Sequence, residues 1–301
     1  MSVFINESFF IFTDQNFKDM ILVADSGSTK TNWIALDENG NTFFKIDTKG
    51  LNPAVFPKKT LYNRIVKKSE LYNIKKEVKK IFFYGAGCGT ETAKGYLKDV
   101  FEDIFSNAEI AIHEDTIAAV KSLQTDKPGI VCILGTGSNC SYFDGKDTHQ
   151  KIISLGYIIM DDASGNYFGK QIIRDYYFNK MPKDLAVKFE SNYDLSPDTI
   201  KERLYKLDSP NTYLADIGRF LIENKNNDYA QKVIKTGLRS FIENQILQFD
   251  ESKKVPIYFV GSIAHFLHDE IVEVLSEYKL KLGKIVRHPI NTLAISHSQN
   301  S

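Results

Sequence analysis

The sequence predicts an α/β protein with two similar halves, each a mixed β-sheet covered by helices. From residue 20 to about 123, apolar runs and helical patterns follow the order βββαβαβα, a three-stranded meander and then crossover units. After Lys127-Pro128-Gly129 the order begins again with a strand, a glycine turn and a second strand. Glycine-bearing turns follow several strands, at the sheet edge where α/β proteins bind ligands. The halves share no usable sequence repeat, so the predicted duplication is one of topology.

Apolar runs that end at glycine or at small polar residues define the strands of the first half. One run, 81–84, stops at the glycine-rich segment 85–89, and Thr90 is placed to cap the helix that follows. A lysine-rich stretch predicts one helix from about 57 to 79. The predicted strands are 20–25, 33–36, 42–46, 81–84 and 108–112, and a further helix is predicted at 115–123.

The second half opens with a short strand at 130–134 and a second at 140–143, which turns at Asp144-Gly145. Helical patterns dominate from about 166 to 249. A final strand and helix follow, at 255–260 and at 264 to about 278.

Composition excludes several classes of protein. Lys and Arg together number 38, as do Asp and Glu, so there is no basic field for nucleic acid or for a membrane surface. Three cysteines without CxxC spacing argue for a reducing compartment and against disulfides or zinc. No apolar run approaches the ~20 residues of a membrane span. Residues 1–19 make a poor signal peptide, so we expect an extension, or the product of an upstream start, on a cytoplasmic protein.

The segment from Asp25 to Thr31, Asp-Ser-Gly-Ser-Thr-Lys-Thr, separates two apolar strands. Backbone N–H groups and hydroxyls of such a turn can bind one anion, Lys30 adds a positive charge, and Asp25 is placed to hold a metal ion directly or through water. It is not a Walker A loop, because a strand rather than a helix follows. An ordinary hairpin with a polar tip is about equally compatible with this segment alone.

Two further turns have glycine where a strand ends. Gly135-Thr136-Gly137-Ser138-Asn139 lets the backbone approach an oxyanion, with hydroxyls from Thr136 and Ser138, although a plain glycine hairpin stays an alternative. Gly261 and Ser262 join the last predicted strand to a helix, beside which an adenosine or its α-phosphate would fit. Taken alone this last signal is weak.

Two segments contribute carboxylates at the start of a helix. Asp115 follows a strand, and its side chain is either a helix N-cap or a general base for an attacking alcohol. Asp161 and Asp162 lie between an apolar run and a helix, where they could bind metal, bind substrate hydroxyls or cap the helix.

Together the segments 25–33, 85–89, 133–140, 155–165 and 259–264 resemble the sugar kinase–heat-shock 70–actin superfamily of ATPases. Within it, residues 20 to about 290 resemble the N-acetylglucosamine kinase-like branch of the BadF/BadG/BcrA/BcrD ATPases, to which the activator ATPases of benzoyl-CoA reductase and hydroxyacyl-CoA dehydratase are related. The resemblance implies two ribonuclease H-like (actin-like ATPase) domains with a cleft between them. The expected domains are 20–127 with 288–301 packed back on it, and 128–287 with a helical insertion.

The resemblance also implies roles for individual residues. Asp115 matches the catalytic aspartate, and Asp25 would hold Mg²⁺ through water. The residues implied in ATP and phosphate binding are Ser26, Gly27, Ser28, Thr29, Lys30, Thr31, Gly135, Thr136, Gly137, Ser138, Gly261 and Ser262. Those implied in sugar binding are Asn52, Gly85, Asp115, Gly156 and Asp161.

Two segments depart from the family pattern. Met160-Asp161-Asp162-Ala163-Ser164 stands where the family has Gly-Asp-Glu-Gly-Ser, in a loop that the resemblance implies contacts the sugar. Pro289-Ile290-Asn291-Thr292-Leu293 replaces Pro-x-x-Gly-Leu, so we expect the last helix to be short or frayed.

The sequence therefore predicts an ATP- and Mg²⁺-dependent kinase for an amino sugar, with the 6-hydroxyl of N-acetylglucosamine as the expected acceptor. An activator-type ATPase and a non-catalytic sugar-binding relative are the alternatives. A small-molecule sugar is the expected partner, and a homodimer is left open.

Overall fold

The computed structural model describes residues 19–207 and 209–298. The predicted extension at 1–19 lies outside the described residues except for Asp19. The first half forms a five-stranded sheet of order β3-β2-β1-β4-β5, in which β1 to β3 are an antiparallel meander and β4 and β5 run parallel to β1. Its strands are β1 Met20–Ser26, β2 Lys30–Leu36, β3 Thr42–Lys49, β4 Val78–Gly85 and β5 Glu109–Glu114. Its helices are α1 Lys58–Val66, α2 Ser69–Asn73, α3 Glu91–Ile104 and α4 Asp115–Leu123.

The second sheet repeats this topology, with order β10-β9-β6-β7-β8. Its first strand in the chain is again central, with two antiparallel strands on one side and two parallel strands on the other. Its strands are β6 Gly129–Leu134, β7 Ser138–Phe143, β8 Thr148–His149, β9 Ile257–Val260 and β10 Leu282–Val286. The helices are α5 Gly165–Tyr177, α6 Lys183–Asn192, α7 Pro197–Tyr205, α8 Pro210–Glu223, α9 Asp228–Asn244, α10 Ser262–Phe266, α11 His268–Glu277 and α12 Pro289–Ser298.

The predicted α/β fold with two mixed sheets is confirmed, and so is the N-cap at Thr90, whose hydroxyl accepts the Ala93 N–H at 3.2 Å. The single helix predicted at 57–79 was wrong. This segment forms two helices, the second of which ends at Asn73, because Val78 already pairs with Met20 in the sheet. Strands β8 and β10 were not predicted.

The last helix, α12, is ten residues long and packs between the first sheet and α4. Ile290 and Leu293 are buried against Ile21 and Val23 of β1. The expectation of a short or frayed helix is therefore wrong for the described residues, because Ile290, Leu293 and Ala294 are buried even though the family's glycine is absent. The exact domain boundaries stay a prediction. Within 19–207 and 209–298, no helix is long and apolar enough to cross a membrane.

Candidate active site

The first turn is a tight reversal between β1 and β2. The Gly27 N–H donates to the Lys30 carbonyl at 3.0 Å. The buried Ser26 hydroxyl shares a 2.8 Å bond with the Thr31 hydroxyl and accepts the Leu51 N–H at 3.0 Å. The hydroxyls of Ser26 and Thr31 therefore support the turn from inside the protein.

The second turn, between β6 and β7, is fixed on the start of α5. The carbonyls of Gly135 and Thr136 accept the N–H groups of Gly165 and Asn166 at 2.8 and 3.0 Å. These bonds satisfy two of the N–H groups that the first turn of a helix leaves unpaired. The conformation of the turn is thus set by a helix 30 residues further along the chain, as the bond from Gly165 to Gly135 shows.

The two turns meet although they belong to different sheets. Thr29 Oγ1 lies 2.9 Å from Thr136 Oγ1 and 3.1 Å from Thr212 Oγ1. This contact brings the carboxyl end of β1 next to that of β6.

The third turn follows β9 and needs a glycine. Gly261 has φ +120°, and a Cβ there would lie 2.3 Å from the Leu134 carbonyl oxygen. Only glycine tolerates this conformation and this approach. Its N–H donates to the Val286 carbonyl at 2.9 Å, so the ends of β6, β9 and β10 converge.

The three turns line an open cavity of about 270 Å³ between the two sheets. Its lining includes residues from every predicted phosphate segment, together with the carboxylates of Asp25 and Asp115. The predicted residues that line it are Asp25, Ser26, Gly27, Thr29, Lys30, Asp115, Thr136, Gly261 and Ser262.

The protein raises the pKa of both carboxylates in the cavity and so favours their neutral, protonated forms. Burial raises the pKa of Asp25 to about 6. Burial, together with the negative charges of Glu114 and Asp25, raises the pKa of Asp115 to about 7. Glu114 occupies the N-cap position of α4, and Asp115, its first helical residue, accepts the backbone N–H groups of Asp115 and Thr116 with its carboxylate. A nearby cation stabilises the charged form of a carboxylate that burial disfavours. Asp25 therefore fits an ion such as Mg²⁺.

The remaining predicted residues lie outside the cavity lining. Asn52 and Gly85 lie close to Ser26: Leu51, next to Asn52, binds the Ser26 hydroxyl, and Gly85 pairs with Ser26 across the sheet. Asn52 Oδ1 would be 2.0 Å from a Cβ at Gly87, so the two segments are in direct contact. Gly156 has φ +82° and no neighbour in reach of an added Cβ. The other predicted residues that do not line the cavity are Ser28, Thr31, Gly135, Gly137, Ser138 and Asp161.

Asp161 is bonded to the second turn. Its carboxylate accepts the backbone N–H of Ser138 and, at 3.0 Å, the side-chain amide of Asn166. These bonds attach Asp161, which was expected to bind the sugar, to the turn that was expected to bind phosphate. Asp161 and Ala163 have φ of +69° and +58°, and Ala163 stands where the family has glycine, so this chain tolerates strain there.

The sequence reasoning missed three polar residues that line the cavity. These are Asn32, Arg287 and His288. Arg287 and His288 follow β10, the strand that was not predicted, and partial burial with the positive charges of Arg287 and Lys30 lowers the pKa of His288. The Lys30 ammonium lies 2.7 Å from the Asp47 carboxylate, and both side chains are half exposed.

Comparison with known proteins places this geometry in a family. Residues 24–294 match the BadF/BadG/BcrA/BcrD ATPase family. The chain belongs to that family. Among curated protein sequences no significant match is found.

Solved structures share this fold over more than nine-tenths of the chain. A Porphyromonas gingivalis protein provisionally named an N-acetylglucosamine kinase is 28% identical, with a TM-score of 0.83 over 93% of this chain and 99% of that one. A Chromobacterium violaceum protein with the same provisional name is 13% identical, with a TM-score of 0.67 over 92% and 98%. A ROK-family glucokinase from Streptomyces griseus, in complex with glucose and AMPPNP, is 13% identical, with a TM-score of 0.56 over 93% and 100%. The BadF-family ATPase described here therefore has a sugar kinase-like fold.

Proposed function

We propose that this ATPase transfers the γ-phosphoryl group of ATP to the 6-hydroxyl of N-acetylglucosamine. The observation behind the proposal is that one cavity joins both phosphate turns to the carboxylate of Asp115. The similarity to the Porphyromonas gingivalis protein suggests the sugar.

The chemistry needs little more than positioning and charge stabilisation. The sugar oxygen attacks the γ-phosphorus, its proton passes to the Asp115 carboxylate, and the bond to the bridging oxygen of ADP breaks. Thr29 and Thr136 would hold the phosphates from the two sheets. Mg²⁺ near Asp25 would offset negative charge on the β- and γ-phosphates.

The raised pKa of Asp115 suits a general base. A base with a pKa near the working pH is deprotonated in much of the enzyme and still accepts a proton readily. Asn52, Gly85, Gly156 and Asp161 are retained as proposed sugar-binding residues. Closure of the two domains on the cleft would exclude water from the reaction.

An activator ATPase that holds an iron–sulfur cluster is disfavoured by the cysteines. Such a cluster needs thiolates that can reach a partner subunit. Cys88, Cys132 and Cys140 are all buried, and burial raises the pKa of Cys88 to about 12. A non-catalytic sugar sensor would not need the intact pair Asp25 and Asp115.

A coupled assay of ADP release tests the proposal. N-acetylglucosamine, N-acetylmannosamine, N-acetylmuramic acid, glucosamine and glucose are offered in turn with Mg-ATP. We expect ADP release that depends on sugar and is fastest with N-acetylglucosamine. ADP release at the same rate without sugar would contradict the proposal, and so would no release with any of the five sugars.

A further inference from the structure

Arg287 lines the cavity beside the third turn. Strands β9 and β10 are parallel with Val286 paired to Val260, so Arg287 and Gly261 leave neighbouring strands at the same level. The bond from the Gly261 N–H to the Val286 carbonyl fixes this alignment. Arg287 therefore lies next to the segment proposed for the nucleotide.

The charge of Arg287 is not offset by a carboxylate. Lys30 and Arg287 are the permanently cationic side chains among the described cavity residues. Lys30 is already paired with Asp47 at 2.7 Å. Across residues 19–207 and 209–298, no carboxylate oxygen lies within 4.0 Å of the Arg287 guanidinium. A triphosphate with its magnesium is still net negative. Arg287 can therefore bind it without first breaking an ion pair.

The guanidinium of Arg287, an exposed residue, also contacts an aromatic ring. Its Cζ lies 4.8 Å from the centre of the Phe266 ring. The ring attracts the cation, and a guanidinium has further N–H donors that can bind oxyanions in pairs. Less rotamer entropy is then lost when a phosphate binds.

We propose that Arg287 binds phosphate oxygens of the nucleotide beside Gly261 and Ser262, and that Phe266 orients it. The inference rests on the proposed use of ATP. The nucleotide segment thus has a cation of its own, supplied by the second sheet, in addition to Lys30 from the first.

The test is direct binding, by calorimetry, of ADP and of adenosine to five proteins without sugar. These are the unaltered chain and the variants Arg287→Gln, Arg287→Lys, Phe266→Leu and Lys284→Gln. Lys284 is an exposed residue of the same strand and serves as the matched control.

Arg287→Gln should weaken ADP binding about tenfold or more, the loss of a bond between charged groups, and leave adenosine binding unchanged. Arg287→Lys should recover part of the loss, since it keeps the charge without the planar fork. Phe266→Leu should weaken ADP binding less than Arg287→Gln does, and Lys284→Gln should change neither ligand.

Arg287→Gln binding ADP within twofold of the unaltered chain would overturn the inference. An equal loss for adenosine and ADP would overturn it too, because the contact would then be with the nucleoside. A chain that binds ADP through Arg287 but phosphorylates no sugar would refute only the proposed function. Normal sugar-dependent ADP release by Arg287→Gln with unchanged ADP affinity would refute only the role of Arg287.

Discussion

Thr29 and Thr136 share a hydroxyl bond of 2.9 Å across the two sheets. Each follows a central strand, and 107 residues separate them in the chain. Both line the cavity, so a phosphate group that contacts both hydroxyls would be bonded from both sheets at once.

Thr136→Val keeps the shape of this side chain and removes its hydroxyl. We expect the KM for ATP to rise about 10- to 100-fold, the range for a lost bond to a charged group, and Thr136→Ser to stay near the original value. Steady-state kinetics at saturating sugar measure both. A Thr136→Val enzyme as good as Thr136→Ser would show that the hydroxyl does not bind phosphate.

Asp115→Asn tests the proposed general base. The amide cannot accept the proton of the sugar hydroxyl, so kcat should fall by roughly 10²–10⁴-fold while ADP binding stays unchanged. The exposed carboxylate Asp147, changed to Asn, is the matched control and should not alter kcat. Near-normal turnover by Asp115→Asn would refute the assignment.

The pH dependence of turnover gives an independent test of the same residue. Asp115 must be deprotonated to act, so kcat/KM for the sugar at saturating Mg-ATP should rise with pH through its raised pKa. Glu114 contributes to that rise in pKa. Glu114→Gln removes the negative charge, which lowers the pKa of Asp115, and the acid limb of the profile should move to lower pH. A limb that stays in place or moves upward would contradict this.

Much of the site could be predicted because its signals are local. The segment from Asp25 to Thr31 has strand, turn and strand in adjacent residues, and the glycine turns at 135–137 and 261 follow short apolar runs. Backbone conformation at such positions depends on the residue itself, as the φ of +120° at Gly261 shows. The catalytic assignment of Asp115 required the family resemblance.

The rest depends on contacts between distant segments. Strand β10 contains Gly283 and Lys284, which interrupt its apolar pattern, and it is a strand because Ile285 and Val286 pair with β9. Without β10, the sequence gives no reason to place Arg287 at the cavity. The bonds of Asp161 to Ser138 and Asn166 likewise depend on how α5 docks against the second turn.

Leu293 anchors α12 to the first sheet, so shortening its side chain should lower the stability of the protein. It is fully buried, whereas Ile295 on the same helix is 55% exposed. Leu293→Ala should lower the free energy of unfolding by about 2–5 kcal/mol, and Ile295→Ala by less than about 0.5 kcal/mol. Urea denaturation of the two variants measures both. Equal effects would mean that α12 does not depend on this contact.

His297, near the end of α12, should make stability depend on pH. Its ring stacks on Phe82 at 3.7 Å and bonds the Tyr84 hydroxyl at 2.9 Å, while burial, Lys121 and His113 lower its pKa from 6.5 to about 4. The unfolded chain therefore takes up a proton more readily than the folded one. Its contribution to stability is full above pH 6.5 and is lost as the pH falls toward 4.

The variant His297→Gln should lose this part of the pH dependence, because it has no group that titrates there. Thermal unfolding between pH 7 and 4 compares it with the unaltered chain and with His149→Gln, an exposed histidine bonded to Asp144. The difference in Tm between His297→Gln and the unaltered chain should shrink or reverse toward the acid end. A constant difference across the range would show that His297 does not titrate on unfolding, and that its role in docking α12 is one of packing alone.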